Sequence, residues 1–154
     1  MTICELSDLK GLLAADARLM GLDLGTKTIG VAVSDLSRTI ATARTTLRRT
    51  KLSRDIEALR ALIAAEGIGG IVVGLPVNMD GSEGPRAQSA RDTAANLARA
   101  LALPVALWDE RWSTVAAERA MLDADLSRRK RARKVDQVAA AYILQGALDR
   151  LRAP

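Results

Sequence analysis

Hydrophobic residues along the chain follow first a strand rhythm and then a helical one. Across residues 19–35, LMGLDLGTKTIGVAVSD, two short apolar stretches flank a Gly25-Thr26-Lys27 turn. Alternation puts Leu19, Gly21, Asp23 and Gly25 on one face of the first strand and Met20, Leu22 and Leu24 on the other. Residues 39–47 return as a third strand, and three strands with short connections predict an antiparallel meander. The period then changes. Ile56, Leu59, Leu62 and Ile63 recur at helical spacing until Gly67, with Ser53 as the predicted N-cap and Asp55 in the first turn, where the helix dipole favours an acid.

The near-continuous apolar run at 68–74 predicts a strand buried on both faces, as in a parallel sheet. Residues 75–84, LPVNMDGSEG, read as a loop. Pro85 fits the first position of a helix whose inward face is Ala87, Ala90, Ala94, Leu97, Ala98 and Leu101. Residues 105–109 give a fifth strand. Ser113 or Thr114 is placed to cap a further helix carrying Val115, Met121 and Leu122, which gives way to the basic run SRRKRARK at 127–134. A last helix follows, with Val135, Val138, Ala139, Tyr142, Ile143, Gly146 and Ala147 on one side and Asp136 at its start. The order predicts an α/β fold: a mixed five-stranded sheet, three antiparallel strands followed by two parallel ones, with helices on both faces. Residues 1–18, where Leu6, Leu9, Leu12 and Leu13 make a short amphipathic pattern, read as an extension packed on the domain edge, and 19–154 as one domain.

Composition narrows the chemistry. Among 154 residues there is no His, which excludes a Ser-His-Asp triad, a Cys-His nucleophile and a His-built zinc site. The single Cys4 can form no internal disulfide and reads as a free thiol. Aromatic residues are 2 % of the chain, which argues against recognition by rows of rings stacked on bases. The net charge of +5 suits an acidic partner such as nucleic acid. With no apolar run long enough to span a bilayer and no basic-then-apolar leader, the expected compartment is the cytoplasm.

Hydrolysis in such a chain falls to carboxylates, hydroxyls, Lys or a hard metal. Asp23 inside an apolar strand needs a metal, a cation, several hydrogen-bond donors or a proton. Glu110 stands at the end of the fifth strand in Trp108-Asp109-Glu110-Arg111, where open α/β sheets collect ligands; its alternative is a strand-end acid paired with Arg111. For Asp136 the alternative is an acid stabilised by the helix dipole alone. Asp80-Gly81 is a turn signal in its own right, and Arg48, Arg49 and Lys51 form a basic cluster that reads as a solvated turn. Asp23, Glu110 and Asp136 together, from separate elements, would suit Mg²⁺ or Mn²⁺, which prefer oxygen ligands. Two such ions can activate water and stabilise a leaving oxygen in phosphodiester cleavage. The run just before Asp136 would lie beside them and neutralise phosphates, unless it is only a solvated loop.

Four blocks, GLDLGTKTIGVAVSD at 21–35, VVGLPVNMDGSEGPR at 72–86, WDERWST at 108–114 and KVDQVAAAYILQ at 134–145, resemble the YqgF (RuvX) family in order and spacing. The resemblance implies an RNase H-like fold shared with the RuvC resolvases. It also implies a nuclease that resolves Holliday junctions, matures the 5′ end of pre-16S ribosomal RNA, or both. By motif its acidic residues fall on Asp23, Glu110 and Asp136, the implied catalytic and metal-holding set. Lys27, Arg86, Arg128, Arg129, Lys130, Arg131, Arg133 and Lys134 are the expected nucleic-acid contacts. One departure stands out: related resolvases place an acid at the end of the fourth strand, where this chain has Gly74-Leu75-Pro76, so Glu110 would have to serve from one strand over. A resolvase cutting two strands symmetrically would work as a homodimer. Two other readings remain open from the sequence: a nucleotide phosphate-binding hairpin of actin-like type at DLGTKTIGVAVSD, and a non-catalytic RNA-binding module.

Overall fold

The computed structural model describes residues 3–112 and 128–153, the side chains of 128–134 excepted. Its strands are β1 (Ile3–Cys4), β2 (Arg18–Leu24), β3 (Thr28–Ser34), β4 (Ala41–Arg48), β5 (Ile68–Leu75) and β6 (Val105–Asp109). Its helices are α1 (Leu6–Leu12), α2 (Leu52–Glu66), α3 (Pro85–Leu101) and α4 (Arg128–Arg152), with a 3₁₀ turn at Glu110–Trp112. The strands form one sheet in the order β1-β6-β5-β2-β3-β4. β2, β3 and β4 make the expected antiparallel meander, and β5 and β6 run parallel to β2.

The sheet has six strands, against the five predicted. Ile3 and Cys4 pair in parallel with Val105 and Ala106 on the edge of β6. Two residues are too short to show a period in sequence; the unpaired N–H and C=O groups of β6 recruit them. The extension therefore completes the sheet at that edge, and Leu9 of α1 is fully buried beneath it.

Each helix forms where its side chains favour it, with two departures at helix starts. Lys51, not Ser53, is the N-cap of α2, and Ser53 lies inside its first turn. Asp55 takes over the fastening: its carboxylate accepts the Thr50 backbone N–H at 3.0 Å and the Thr50 hydroxyl at 2.9 Å, tying the end of β4 to α2. The second departure is α4, which begins at Arg128, so the basic run is helical rather than a loop ahead of the last helix. Arg and Lys are good helix formers, and a helix already anchored downstream extends over them at little cost. The helix predicted after Ser113 or Thr114 lies outside the described residues.

Alternation divides the core as expected. Met20, Leu22, Ile71, Val73 and Val105 face α2 and α3, where Ala94, Leu97 and Ala98 are buried. Leu19, Val72, Ala106 and Trp108 face α4, which buries Ala139, Ala140, Ile143, Leu144, Ala147 and Leu148 against them. Full burial of Ile143, Leu144 and Leu148 contributes roughly 1.5–3 kcal/mol each. Small residues set the depth of that contact. A Cβ on Gly21 would stand 2.6 Å from the Leu144 Cβ, and one on Gly30 would overlap the Asp136 carbonyl oxygen. α4 thus rests on bare backbone of β2 and β3.

Candidate active site

Asp23 lies one residue from the carboxyl end of β2, on the face that α4 covers, and is 5 % exposed. Its neighbours across the sheet are both glycines. On one side it pairs directly with Gly30 of β3. On the other, the parallel pair Leu22–Val73 makes Gly74 the next residue of β5 alongside it. Neither neighbour fills the space beside the carboxylate with a side chain, so groups from elsewhere can enter it.

Two do. The Asp136 backbone sits over Gly30, and the Thr28 hydroxyl donates a hydrogen bond to the Asp136 carboxylate. Because α4 starts at Arg128, Asp136 is in its third turn, beyond the reach of the N-terminal dipole. The dipole is therefore not what this acid serves. From the opposite side, Glu110 leaves the end of β6 and carries its Oε2 to 3.3 Å from where a Cβ on Gly74 would stand. Ile143 of α4 fills the space that a side chain at Gly74 would take, its Cδ1 2.5 Å from that Cβ, and the Glu110 carboxylate lies at the edge of the same space.

Arg111 is engaged elsewhere than the strand-end pairing with Glu110 would require. Its guanidinium donates to Asp109 at 2.7 and 3.1 Å, and its backbone N–H donates to the same carboxylate at 2.9 Å. Those bonds, the side-chain ones foremost, hold the Asp109 carboxyl below the usual carboxylate range. The remaining acids are also structural. Asp80 accepts the Ser82 N–H at 2.9 Å in a turn where Gly81 has φ 90°, and Glu83 accepts from Arg91 at 2.8 Å.

The pairing of Asp109 sets a pH dependence. A carboxylate with a depressed folded pKa stabilises the fold above its unfolded pKa, near 3.9, and that contribution is lost as pH falls through the folded value. The Asp109 side chain is 9 % exposed, so Arg111→Met strands a nearly buried charge. A loss of about 1–3 kcal/mol at pH 7 is expected in denaturant melts, shrinking toward zero as the solution is acidified past the folded pKa. A cost independent of pH would contradict the assignment.

As donors, Asp23, Glu110 and Asp136 offer only oxygen, the chemistry that Mg²⁺ and Mn²⁺ take. In their present rotamers they do not close on one point: among the described residues no three acids are grouped tightly enough to hold a metal ion. Lys27 is exposed in the β2–β3 turn and Arg86 is exposed in the first turn of α3, both at the carboxyl end of the sheet. The side chains of Arg128, Arg129, Lys130, Arg131, Arg133 and Lys134 lie outside the described set. Two residues enter the site without having been singled out from sequence. Thr28 shares a strand face with Gly30, but nothing local marks it as a partner of Asp136. Arg49, from the cluster read as a solvated turn, donates its guanidinium to the Gly25 carbonyl at 2.7 Å and its backbone N–H to the Lys27 carbonyl at 2.8 Å. It braces the turn that follows Asp23.

The sheet order and the helix laid across Asp23 define an RNase H-like α/β fold of the RuvC type. Thermus thermophilus RuvC in complex with a Holliday junction substrate superposes with a TM-score of 0.60, covering 87 % of this chain and 94 % of that one at 13 % identity. A second Thermus thermophilus RuvC structure gives 0.52, covering 85 % and 93 % at 12 % identity. Residues 17–150 match the RuvX model, described as Holliday junction resolvase, and the chain belongs to that family. It is a nuclease, a hydrolase acting on ester bonds. A Paramagnetospirillum magneticum protein is 58 % identical over 149 residues, covering 97 % of this chain and 96 % of its own. One from Rhodobacter capsulatus is 62 % identical over 150 residues, covering 97 % and 94 %. Both carry the name "Putative pre-16S rRNA nuclease". No described helix is long and apolar enough to cross a membrane.

Proposed function

We propose that the protein is a divalent-metal-dependent endonuclease that trims precursor 16S ribosomal RNA, with Asp23, Glu110 and Asp136 as the metal-holding catalytic set. The observation that carries this is that the two sheet neighbours of Asp23 are approached from elsewhere in the chain, Gly30 by the Asp136 backbone and Gly74 by the Glu110 carboxylate. The substrate follows the name borne by relatives that match nearly the full chain at about 60 % identity. Such a substrate puts the protein in the cytoplasm.

Asp23 is the fixed member, held by the sheet. Glu110 would complete the set from β6, and Asp136 would exchange its Thr28 hydroxyl for the ion. Mg²⁺ or Mn²⁺ bound there supplies an activated water and charge to stabilise the leaving oxygen, work for which this His-free chain has no imidazole. Lys27 would hold a backbone phosphate at the rim, Arg128 to Lys134 would extend that contact along the start of α4, and Arg86 would meet the strand farther along, at the start of α3.

A second reading, cleavage of four-way DNA junctions, is favoured by the family description. It would bring two copies of the chain to one junction, because symmetric cleavage takes two sites. Side-by-side assays on precursor 16S RNA and on a synthetic four-way junction, with and without Mg²⁺, separate the two. Cleavage of the RNA at its 5′ side with the junction left intact is the expected result. Metal-independent cleavage, or cleavage of the junction alone, would overturn the proposal in its first form.

A further inference from the structure

A cleft of about 540 Å³ opens at the carboxyl end of β2, on the side of the sheet away from Asp23. Leu24 forms part of its floor, and alternation turns Leu24 toward α3 while Asp23 turns toward α4. Arg49 and Arg86 stand in its walls, with the hydroxyl-bearing Thr26, Ser89 and Thr93, and among the described residues no carboxylate lines it. Arg86, Ser89 and Thr93 occupy one face of α3 at helical spacing.

Several independent features make the cleft electropositive. Arg86 has no ion-pair or hydrogen-bond partner among the described residues. Arg49 is committed through one nitrogen to the Gly25 carbonyl, which fixes the guanidinium at the cleft wall without neutralising it. The N-terminus of the 17-residue α3 opens here with Gly84 as an uncapped N-cap and no acid in its first turn. Its unshared N–H groups and positive dipole end favour an anion. Asp55, the nearest acid on α2, is turned back onto Thr50 by two hydrogen bonds.

We propose that this cleft is a phosphate subsite, with Arg49 and Arg86 as its cations, that grips the substrate strand after it crosses the β2–β3 turn from the carboxylate side. The proposal rests on the nuclease reading and adds to it a second, separate point of attachment on the opposite face of the sheet. A strand held at both points is bent over Gly25-Thr26-Lys27, which fixes where the scissile bond falls relative to Asp23. Arg49 is then a positioning residue: one cation braces the turn and contacts the phosphate beyond it.

The test is the salt dependence of binding, measured in EDTA so that no cleavage occurs. The probes are a short single-stranded RNA with a 5′-phosphate and the same RNA with a 5′-hydroxyl. Losing one phosphate contact on a single strand lowers the slope of log Kd against log salt by about 0.7. Arg86→Gln, at an exposed side chain without a described partner, should show that drop, and Arg49→Gln with Arg86→Gln about twice it. Arg60→Gln, at mid-α2 where the guanidinium donates to the Ala100 carbonyl near the far end of α3, should leave the slope unchanged. A drop with both RNAs assigns the subsite to an internal phosphodiester, and a drop only with the 5′-phosphate RNA assigns it to a terminal phosphate; either supports the proposal. Unchanged slopes in the Arg variants, with salt-dependent binding by wild type, overturn it and leave the nuclease reading standing. Absence of binding by wild type also overturns the proposal, since a subsite that grips a strand would hold this probe, whereas the nuclease reading fails only in the cleavage assay.

Discussion

Asp23→Asn is expected to reduce Mg²⁺-dependent cleavage by at least about a thousandfold, roughly 4 kcal/mol of transition-state stabilisation, with RNA affinity in EDTA within about threefold of wild type. Asn keeps the shape of the side chain and one carbonyl oxygen but loses the charge that would hold a divalent ion. No neighbour can replace it, because the residues beside it in the sheet are Gly30 and Gly74. The fold should tolerate the change. Asn fits the same space, 5 % exposed, and keeps an acceptor oxygen, so the chain should still fold cooperatively, which a thermal melt checks. Cleavage within about tenfold of wild type, at saturating metal, removes Asp23 from the catalytic set. If wild type itself cuts neither RNA nor junction while binding RNA, the protein is the non-catalytic module that the sequence also allowed.

Gly30→Ala should have the largest effect on stability and should carry activity down with it. The added Cβ would overlap the Asp136 carbonyl, a backbone atom of a helix that cannot yield as a flexible side chain does. Either α4 lifts from β3 or β3 bends away from β2. Overpacking of this kind costs about 1–3 kcal/mol and occasionally more, and a backbone clash belongs at the upper end. For a chain of this length about 3 kcal/mol lowers the thermal midpoint by roughly 6–12 °C. Lifting α4 also withdraws Asp136 from Thr28 and from the side of Asp23, so cleavage should fall further than the unfolded fraction explains. Gly11→Ala is the contrast: nothing stands within 4 Å of a Cβ there, and stability should hold or improve. A midpoint for Gly30→Ala within about 2 °C of wild type would show that the helix is not seated on the strand as described.

Much of the architecture was legible because its signals are local. The period-2 alternation over 19–24 sorts Leu19 from Met20 onto the two faces where they are found. The six inward residues from Ala87 to Leu101 are all buried against the sheet. The apolar run of β5 is buried on both faces because α2 and α3 cover one side of the sheet and α4 the other. Where local signals were weak or ambiguous, reading failed. Ile3 and Cys4 join the sheet only because β6 leaves an open edge. Ser53 looks like a cap but loses to Lys51, because Asp55 reaches back to Thr50 and sets the start of α2.

For the candidate site the division is the same in kind. The sequence by itself determined the inventory: a lone acid inside an apolar strand, two further acids after β6 and in the last helix, and no His to assist them. These are matters of residue type and period, which each segment carries alone. Only the tertiary structure decided that Glu110 approaches Gly74, that Thr28 holds Asp136 across 108 residues of chain, and that Arg49 braces the turn after Asp23. Those relations depend on how closely α4 can approach the sheet. That distance is set by which strand positions lack a Cβ, and no stretch of sequence states which helix will come to rest upon them.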